Sequence, residues 1–456
     1  MVKKFSSYFF LGLVCAVHSM YAAPANTVVA TINVGVTPAG LALTSNNLVA
    51  YVANNNNYGI TNGDNVSVLN LTNNTLTTTI NDASFSQPYT VTLSKDGTKA
   101  YVTNSFGTTI TIINTATNTV IGTITGFNGP SGMVITPDGN TAYVNNYGAD
   151  GASGTGTTVS VVNLNTNTIT ATITVGLAPA ALAITPDGKF VYTVNYVLGA
   201  TGGGTANIIQ TSTNTVVGPT ITGFSGPFAI VITSNGTFAY VTNFGSNNFT
   251  PIGTTVSVVD LSTNTITATI NLDIQPAGIA ITPDGKYAYA TNYNSLYSST
   301  GSDFDLAPGQ GTVNIIDMAT NTVIPPIIAV GQSPGNVAIS PDGEFAYISN
   351  YTSGTVSVIA LQSFQIVAQG SQIRNRFLNF IDVVNQLTWT VTGTSLPVSY
   401  SIYRDAGLTE LAGMVSATGP LTFADHYVTT GVTYTYYIVG TNAAGTTSEP
   451  VVVTIG

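Results

Sequence analysis

The sequence has 456 residues, of which 44% are hydrophobic and only 6% are charged, and its formal net charge is −10 at pH 7. This balance excludes an intrinsically disordered chain, which would be rich in charge and poor in apolar residues. The acidic surface also argues against nucleic-acid binding through a basic patch, because it repels phosphate groups.

The N-terminus has the order of a secretory signal peptide. Lys3 and Lys4 precede an apolar run at residues 8–17, and the small-residue site Ala23-Pro24-Ala25 follows. We therefore predict that residues 1–25 are a signal peptide and that the protein is exported: secreted, cell-surface or periplasmic. The apolar run is too short to span a bilayer, and no membrane span is predicted after cleavage of the signal.

An internal repeat predicts the architecture. Seven prolines each precede a tyrosine by thirteen residues, and an asparagine follows three residues after each tyrosine. The prolines are Pro38, Pro88, Pro130, Pro179, Pro227, Pro276 and Pro334; the tyrosines are Tyr51, Tyr101, Tyr143, Tyr192, Tyr240, Tyr289 and Tyr347; the asparagines are Asn54, Asn104, Asn146, Asn195, Asn243, Asn292 and Asn350. Because the period of 42 to 58 residues varies only outside this module, the sequence predicts seven copies of one structural unit.

Each repeat contains four short strand patterns. In the sixth repeat, Ile279 and Ile281 alternate with small residues in the first strand. The Asp284-Gly285 hairpin turn then leads to the strand that carries the tyrosine. A third strand and an Asn-Thr turn lead to the fourth. Four antiparallel strands at this period form one propeller blade, so we predict an all-β fold with a seven-bladed β-propeller over residues 26–370.

Closure of the ring has two candidate strands. An Asn-Thr pair precedes the fourth strand in six repeats but not in the seventh, and the missing pair occurs at residues 26–32. We predict that this N-terminal strand completes the last blade, which would remove an exposed sheet edge. The alternative is that residues 365–368 supply the fourth strand.

Residues 371–456 follow a different pattern. The repeat stops, arginines appear, and the only tryptophan, Trp389, lies in an early strand pattern where we predict a core position. Short alternating strands continue towards the C-terminus, so a small β-sandwich is predicted. Residues 371–380 are predicted to be either a linker or the first strand of that sandwich.

Two family resemblances rest on these motifs. The segments Tyr101-Val-Thr-Asn104 and Tyr240-Val-Thr-Asn243, with recurrent Pro-Asp-Gly turns, resemble YVTN-family β-propeller repeats. That resemblance implies the propeller fold and export, and because some relatives resemble lactonases it implies a lactonase-like hydrolase as an alternative function. Gly431-Val-Thr-Tyr434 resembles the tyrosine corner of a fibronectin type III-like domain.

The predicted propeller offers no catalytic constellation. Residues 26–370 contain no arginine or histidine, and the only histidine after the predicted signal is His426. A Ser-His-Asp triad or a His-ligated metal is therefore not available there, and we predict no catalytic residues, no cofactor and no metal site. The aspartates of the hairpin turns are predicted to bond their own backbone, and Glu344 beside one of them is predicted to be solvated.

The predicted binding surface is the face with the loops between the second and third strands, because these loops vary most in length. In five repeats an aromatic residue directly follows the repeated asparagine. Such rings stack on sugars or anchor protein partners. The alternative is that they pack between blades. The predicted binding residues are Tyr147, Tyr196, Phe244, Tyr293 and Tyr351, with Tyr297 and Phe304 from the longest loop.

These patterns predict an exported, non-enzymatic binding or surface-structural protein. Its expected partner is a protein or carbohydrate at the cell surface or in the periplasm. Asp303 and Asp305 in the longest loop are a candidate calcium site, since Ca²⁺ takes clustered oxygens, but the sequence shows no fuller ligand pattern around them.

Overall fold

A computed structural model describes residues 26–56, 63–148, 154–196, 203–245, 252–297, 306–308, 310–361, 364–376, 381–393, 397–441 and 450–455. Every regular element in these ranges is a β-strand, and none of the described residues forms a helix that could cross a membrane. The chain divides into two compact units, one spanning Val28–Ile359 and the other containing Ala360–Gly456.

The first unit consists of four-stranded antiparallel sheets, which we number in chain order. The strand before them is β1 (Thr27–Asn33). Sheet 1 contains β2 (Pro38–Leu43), β3 (Val49–Asn54), β4 (Asn65–Asn70) and β5 (Thr75–Ile80). Sheet 2 contains β6 (Pro88–Leu93), β7 (Lys99–Asn104), β8 (Thr109–Asn114) and β9 (Thr119–Thr125). Sheet 3 contains β10 (Pro130–Ile135), β11 (Thr141–Asn146), β12 (Thr158–Asn163) and β13 (Thr168–Thr174).

The later sheets repeat this order. Sheet 4 contains β14 (Pro179–Ile184), β15 (Phe190–Asn195), β16 (Gly203–Gln210) and β17 (Thr215–Ser225). Sheet 5 contains β18 (Pro227–Ile232), β19 (Phe238–Gly245), β20 (Ile252–Asp260) and β21 (Thr265–Asn271). Sheet 6 contains β22 (Pro276–Ile281), β23 (Tyr287–Asn292), β26 (Thr312–Asp317) and β27 (Thr322–Ala329), and the pair β24 (Ser295–Tyr297) and β25 (Leu306–Pro308) lies within its long loop. Sheet 7 contains β28 (Pro334–Ile339), β29 (Phe345–Asn350), β30 (Thr355–Ala360) and β1.

The N-terminal strand closes the ring, as the Asn-Thr pattern predicts. Sheet 7 has the order β1-β30-β29-β28, so β1 is its fourth strand. The first strand of each sheet contacts those of its two neighbours, and β28 contacts both β22 and β2. The contacts among first strands are therefore cyclic, and the repeated four-stranded sheets are β-propeller-like.

A β-bulge shapes the first strand of each sheet. In sheet 6, Pro276 pairs with Asn292 and Ala280 pairs with Tyr289, with a register shift between the proline and Ile279. The small residue of the first strand therefore lies directly opposite the buried tyrosine. This position is small or β-branched in every repeat because the tyrosine ring fills the space beside it.

The repeated asparagine bonds the second and third strands of its sheet to each other and, in sheet 5, to the segment that precedes the first strand. In sheet 5, Asn243 Nδ2 donates to Thr255 Oγ1 and Ser257 Oγ, each at 2.9 Å, and Asn243 Oδ1 accepts from Ser225 N at 3.2 Å. The side chain thus joins the second and third strands of sheet 5 to Ser225, the last residue of β17 in sheet 4. All seven asparagines are buried, and Nδ2 of each donates to a side chain of the third strand, whereas within the described residues Oδ1 of Asn195, Asn292 and Asn350 accepts no hydrogen bond.

The repeated tyrosine connects neighbouring sheets. Tyr143 Oη donates to Asn214 Oδ1 at 2.6 Å and Tyr192 Oη donates to Asn264 Oδ1 at 2.8 Å, in each case in the turn between the third and fourth strands of the next sheet. Those asparagines have φ of 53° and 56°, a conformation that Asn tolerates better than most residues. Burial raises the pKa of Tyr143 and of Tyr192 to about 12, so both hydroxyls stay protonated as donors.

The threonine of the Tyr-Val-Thr-Asn segment forms a second bond between sheets. Thr103 Oγ1 donates to the Ser131 carbonyl at 2.8 Å, and Thr242 Oγ1 donates to the Ala277 carbonyl at 2.7 Å. Both carbonyls belong to the first strand of the following sheet. The motif therefore encodes contacts between repeats as well as the strand itself.

The tyrosine bond between sheets 5 and 6 is testable by a double-mutant cycle. Tyr240 Oη donates to Asn321 Oδ1 at 2.7 Å. Tyr240→Phe removes the donor, and Asn321→Gly removes the acceptor while keeping the positive φ. We expect a coupling of about 1 kcal/mol in urea unfolding. Tyr101→Phe is the matched control, since Asn167 Oδ1 of the next sheet accepts no hydrogen bond and the change should be nearly neutral. Equal effects of the two Tyr→Phe changes would contradict the assignment.

The second unit contains two sheets around one core. Its strands are β31 (Phe364–Arg376), β32 (Ile381–Gly393), β33 (Ser399–Tyr403), β34 (Leu411–Ser416), β35 (Thr422–Asp425), β36 (Tyr434–Thr441) and β37 (Val451–Ile455), in the orders β31-β32-β35 and β34-β33-β36-β37. Trp389 of one sheet is buried 5.3 Å from the Tyr400 ring of the other, so the predicted core position is confirmed.

The strand β31 starts before the predicted end of the propeller. The predicted boundary at residues 370 and 371 falls inside this strand, which pairs with β32 along its whole length. Residues 365–368 therefore belong to the second unit and do not supply the closing strand of sheet 7.

A buried ion pair stabilises the second unit. Arg404 donates to Asp425 from Nε at 3.0 Å and from Nη2 at 2.8 Å, and Tyr436 Oη donates to the same carboxylate at 2.9 Å. The Asp425 side chain is only 1% exposed. Burial by itself would raise the pKa of Asp425, but the bonds from Arg404, Tyr427 N and Tyr436 hold it below its ordinary value.

Candidate functional site

The aspartates of the hairpin turns have structural partners, as predicted. Asp187 Oδ1 accepts from Thr185 Oγ1 at 2.7 Å and from Lys189 N at 3.1 Å, and these bonds lower the pKa of Asp187 to about 2. Equivalent bonds to a preceding hydroxyl and a following N–H occur at Asp138, Asp284 and Asp342. Among the described residues, no three His, Cys, Asp or Glu side chains group together as metal ligands.

The prediction for Glu344 was wrong. This residue is only 8% exposed, whereas the lysines at the same place in two other turns have side chains that are 72% and 70% exposed. The Glu344 side chain lies against the protein instead of extending into solvent. Its position in a polar turn gives no signal of this, because turn position predicts backbone conformation and not side-chain packing.

The aromatic residues that follow the repeated asparagines lie together. Phe244 is 5.9 Å from Tyr293, and Tyr293 is 6.3 Å from Tyr351, between ring centroids. Phe228 connects them to Tyr196, at 5.2 Å from Phe244 and 6.4 Å from Tyr196. Tyr147 packs against the same cluster. We call these six residues the aromatic cluster, and its members come from sheets 3 to 7.

Four members of the aromatic cluster line a cavity of about 240 Å³ at the centre of the ring of first strands. Its aromatic lining consists of Tyr89, Phe228, Phe244, Tyr293 and Tyr351. The rest of its lining is small or uncharged and includes Gly40, Thr90 and Asn336. A Cβ at Gly40 would approach the Tyr89 carbonyl oxygen to 2.5 Å, so only glycine lets the first strands of sheets 1 and 2 come this close.

Two members of this lining were missed in the sequence. Tyr89 and Phe228 directly follow the repeat proline, where the other repeats have Ala39, Ser131, Ala180, Ala277 and Gly335. A comparison of the seven repeats at this position would have found them, because they alone are aromatic there. The bulge after the proline turns this position towards the centre of the ring.

The cavity is uncharged at neutral pH. Tyr89 is half-buried in the lining of the cavity. Burial, followed by the neighbouring hydroxyls of Tyr147 and Tyr351, raises the pKa of Tyr89 well above its ordinary value. The phenol therefore stays neutral, and the cavity presents aromatic faces and hydroxyls.

Charge is distributed unequally between the two faces of the first unit. All four lysines lie in or beside the turns between first and second strands: Lys95, Lys99, Lys189 and Lys286. The opposite face carries the mouth of the aromatic cavity and has aspartates in its described loops, namely Asp64, Asp82 and Asp273. Its charged groups are therefore acidic.

Three predicted site residues lie beyond what the structure describes. Phe304, Asp303 and Asp305 are outside the described residues, so the candidate calcium site is as well. Tyr297 is the last residue of β24, and only its backbone is described.

Larger clefts occur on the opposite face, between neighbouring sheets. The cleft between sheets 4 and 5 has a volume of about 770 Å³, and the one between sheets 3 and 4 has about 440 Å³. Both are lined by the repeated tyrosine and by the asparagine that it bonds. These clefts follow from the spacing of the sheets, whereas the central cavity departs from the repeat through Tyr89 and Phe228. The central cavity is therefore the better candidate site.

Comparison with known proteins supports the fold. No family model matches the chain. The PE-PGRS family protein PE_PGRS18 of Mycobacterium tuberculosis (strain ATCC 25618 / H37Rv) is 47% identical over 60 residues, which are 13% of this chain and 13% of that protein. Among solved structures, Kuenenia stuttgartiensis hydrazine synthase is similar with a TM-score of 0.59 and 20% identity, over 71% of this chain and 95% of that chain. At this identity the likeness shows the fold alone, and together with the repeated four-stranded sheets it supports a β-propeller-like architecture.

Proposed function

We propose that residues 28–359 form a seven-bladed β-propeller of the YVTN type and that residues 360–456 form a fibronectin type III-like β-sandwich. Seven four-stranded sheets with cyclic contacts among their first strands support the first assignment. The second is supported by the two sheets of the C-terminal unit and by Tyr434, whose Oη accepts from Thr429 N at 3.0 Å. A tyrosine corner makes such a bond to backbone a few residues upstream.

We propose that the protein is an exported, non-enzymatic recognition protein that binds a glycan or protein partner at its loop face. The observation that carries this proposal is the cavity lined by five aromatic side chains at the centre of that face. Buried and half-buried rings next to small residues are typical of binding hot spots. Export rests on the signal-like residues 1–25, which lie outside the described residues. A lactonase-type hydrolase is the alternative, although residues 26–370 contain no histidine or arginine for such chemistry.

Alanine variants of the cavity test the proposal. The wild type is first screened on glycan arrays and against purified surface proteins, and Tyr293→Ala and Tyr351→Ala are then measured against the partner found. We expect each change to weaken binding by roughly 1 to 4 kcal/mol if the ring is a hot spot. Phe238→Ala is the matched control, because this aromatic is 37% exposed on the opposite face.

The same variants separate recognition from a purely structural role. Their melting temperatures are measured together with affinity and with hydrolysis of simple lactones. A lower melting temperature with unchanged affinity would show that the rings only pack the centre of the propeller. Lactone turnover by the wild type that is lost in both tyrosine variants would favour the hydrolase.

A further inference from the structure

The aromatic cavity is small compared with sites for whole ligands. Pockets that enclose drug-sized molecules measure about 300 to 1,000 Å³. The cavity here has about 240 Å³, so it accommodates a single compact group. A longer ligand would place only one such group inside and would extend over the loop face.

The chemistry of the lining selects among compact groups. Anions are disfavoured, because no side chain that lines the cavity carries a positive charge and every lysine of this unit lies towards the other face. A sugar ring needs several polar partners for its hydroxyls, and the non-aromatic side chains available are short ones such as Thr90 and the amide of Asn336. Most of the side-chain surface that lines the cavity is aromatic.

Aromatic faces attract one polar class strongly, namely organic cations. A cation within about 6 Å of a ring centroid is drawn to the negative face of the ring, and sites with several rings bind quaternary ammonium groups. Here Phe244, Tyr293 and Tyr351 succeed one another at centroid distances of 5.9 and 6.3 Å, with Tyr89 and Phe228 also in the lining. A single compact cation in the cavity therefore meets several rings at once.

The charge on the surrounding face favours the same ligand. Asp64 Oδ1 accepts from Gln87 N at 2.9 Å, and Gln87 lies directly before β6, the strand that carries Tyr89, so a carboxylate is held next to the start of a strand that supplies a cavity ring. Asp273, which accepts from Thr312 Oγ1 at 3.0 Å, adds a second carboxylate to this face. Such a field raises the local concentration of cations and opposes anions.

We propose that the central cavity binds a quaternary ammonium group through cation–π contacts with Phe244, Tyr293, Tyr351 and the neighbouring rings. This inference rests on the proposed recognition function and assigns the chemical class of the group that enters the cavity. The phenol hydroxyls are not required for it, since the ring faces make the contact.

Calorimetric titration of residues 26–456 with choline as the probe tests this proposal. Its neutral isostere 3,3-dimethylbutan-1-ol and D-glucose are the comparison ligands. We expect choline to bind about tenfold or more tightly than the isostere, as cation–π attraction in a desolvated site implies. We expect no detectable binding of glucose. Choline affinity should fall as salt is raised, because salt screens the acidic face.

Variants identify the cavity as the site. Tyr351→Ala should abolish most choline binding, and Tyr351→Phe should retain it because the ring remains. Asp64→Asn keeps the acceptor for Gln87 N and removes the charge, so it should weaken choline binding about two- to threefold without changing the affinity of the neutral isostere. Phe238→Ala on the opposite face should have no effect.

The outcomes distinguish this inference from the function on which it rests. Equal affinity for choline and its isostere, or choline binding that survives Tyr351→Ala, would overturn the cation–π site. If choline does not bind while a glycan or protein partner still depends on Tyr293 and Tyr351, the recognition function stands and the quaternary ammonium assignment fails. If neither choline nor any screened partner depends on these rings, both fail.

Discussion

Removal of residues 26–32 is expected to destabilise the first unit by several kcal/mol and to make its thermal unfolding less cooperative. The deletion takes away β1, the fourth strand of sheet 7, and exposes the edge of β30. It also removes Ile32, which is buried in a core cluster between sheets 7 and 1. The same cluster contains Tyr347 of sheet 7 and Leu41 of sheet 1. Such a loss is a large fraction of a typical domain stability of about 5 to 15 kcal/mol.

Point variants localise this effect to the buried side of the strand. Ile32→Ala should cost about 2 to 5 kcal/mol in denaturant unfolding, because it leaves a cavity between two sheets. Val29→Ala in the same strand is the control and should cost little, since Val29 is 41% exposed. Melting of the truncated chain that matches the full-length chain would show that β1 does not hold the ring closed.

Replacing Arg404 by Met is expected to destabilise the second unit by about 3 to 5 kcal/mol, the usual cost of leaving a buried charge without its partner. Met keeps the apolar stem of the side chain and removes the guanidinium that donates two bonds to Asp425. That carboxylate is only 1% exposed, so we expect water to replace the lost partner poorly. Differential scanning calorimetry of the variant measures the loss.

The pH dependence and a second substitution check the cause. In the wild type the pKa of Asp425 lies below its ordinary value of 3.8, so the stabilisation is present above about pH 4 and is lost as the pH falls further. In Arg404→Met, burial without the cation favours the protonated form of Asp425. The unfolding free energy of the variant should therefore approach that of the wild type at low pH. Asp425→Asn added to Arg404→Met should restore much of the loss. A double variant no more stable than the single one would refute the charge explanation.

The sequence predicted the strands and turns of the first unit well, because the repeat reports local backbone requirements. Asn264 and its equivalents occupy turns at positive φ, and Gly285 at φ 71° follows Asp284 in a hairpin turn. Positive φ restricts the residue type at each of these positions mainly to Asn or Gly, so these residue types recur in the sequence at fixed spacing. The N-terminal closing strand was predictable for the same reason, since its Asn-Thr pair is the seventh copy of a turn signal.

Contacts between repeats were harder to predict. The repeated tyrosine and the turn asparagine were both evident in the sequence, but the bond from Tyr240 to Asn321 joins different sheets, and spacing within one repeat does not show it. The aromatic lining of the cavity was predicted in part, and Tyr89 and Phe228 were missed because they occupy a position that is small elsewhere. The end of the first unit was placed too late, since the pattern of β31 shows a strand but not the sheet that it joins.

The pairing of β1 with β30 has a consequence for how the chain folds. Sheets 1 to 6 each form from strands close together in sequence, so they can assemble one after another as the polypeptide is synthesised. Sheet 7 needs residues from both ends of the unit, so its completion waits until Ala360 has emerged. Until then we expect the growing chain to form an open arc in which β1 has no partner strand. Non-local pairing of this kind is intrinsically slow, which makes ring closure the expected rate-limiting step and the open arc the species that a chaperone would have to protect.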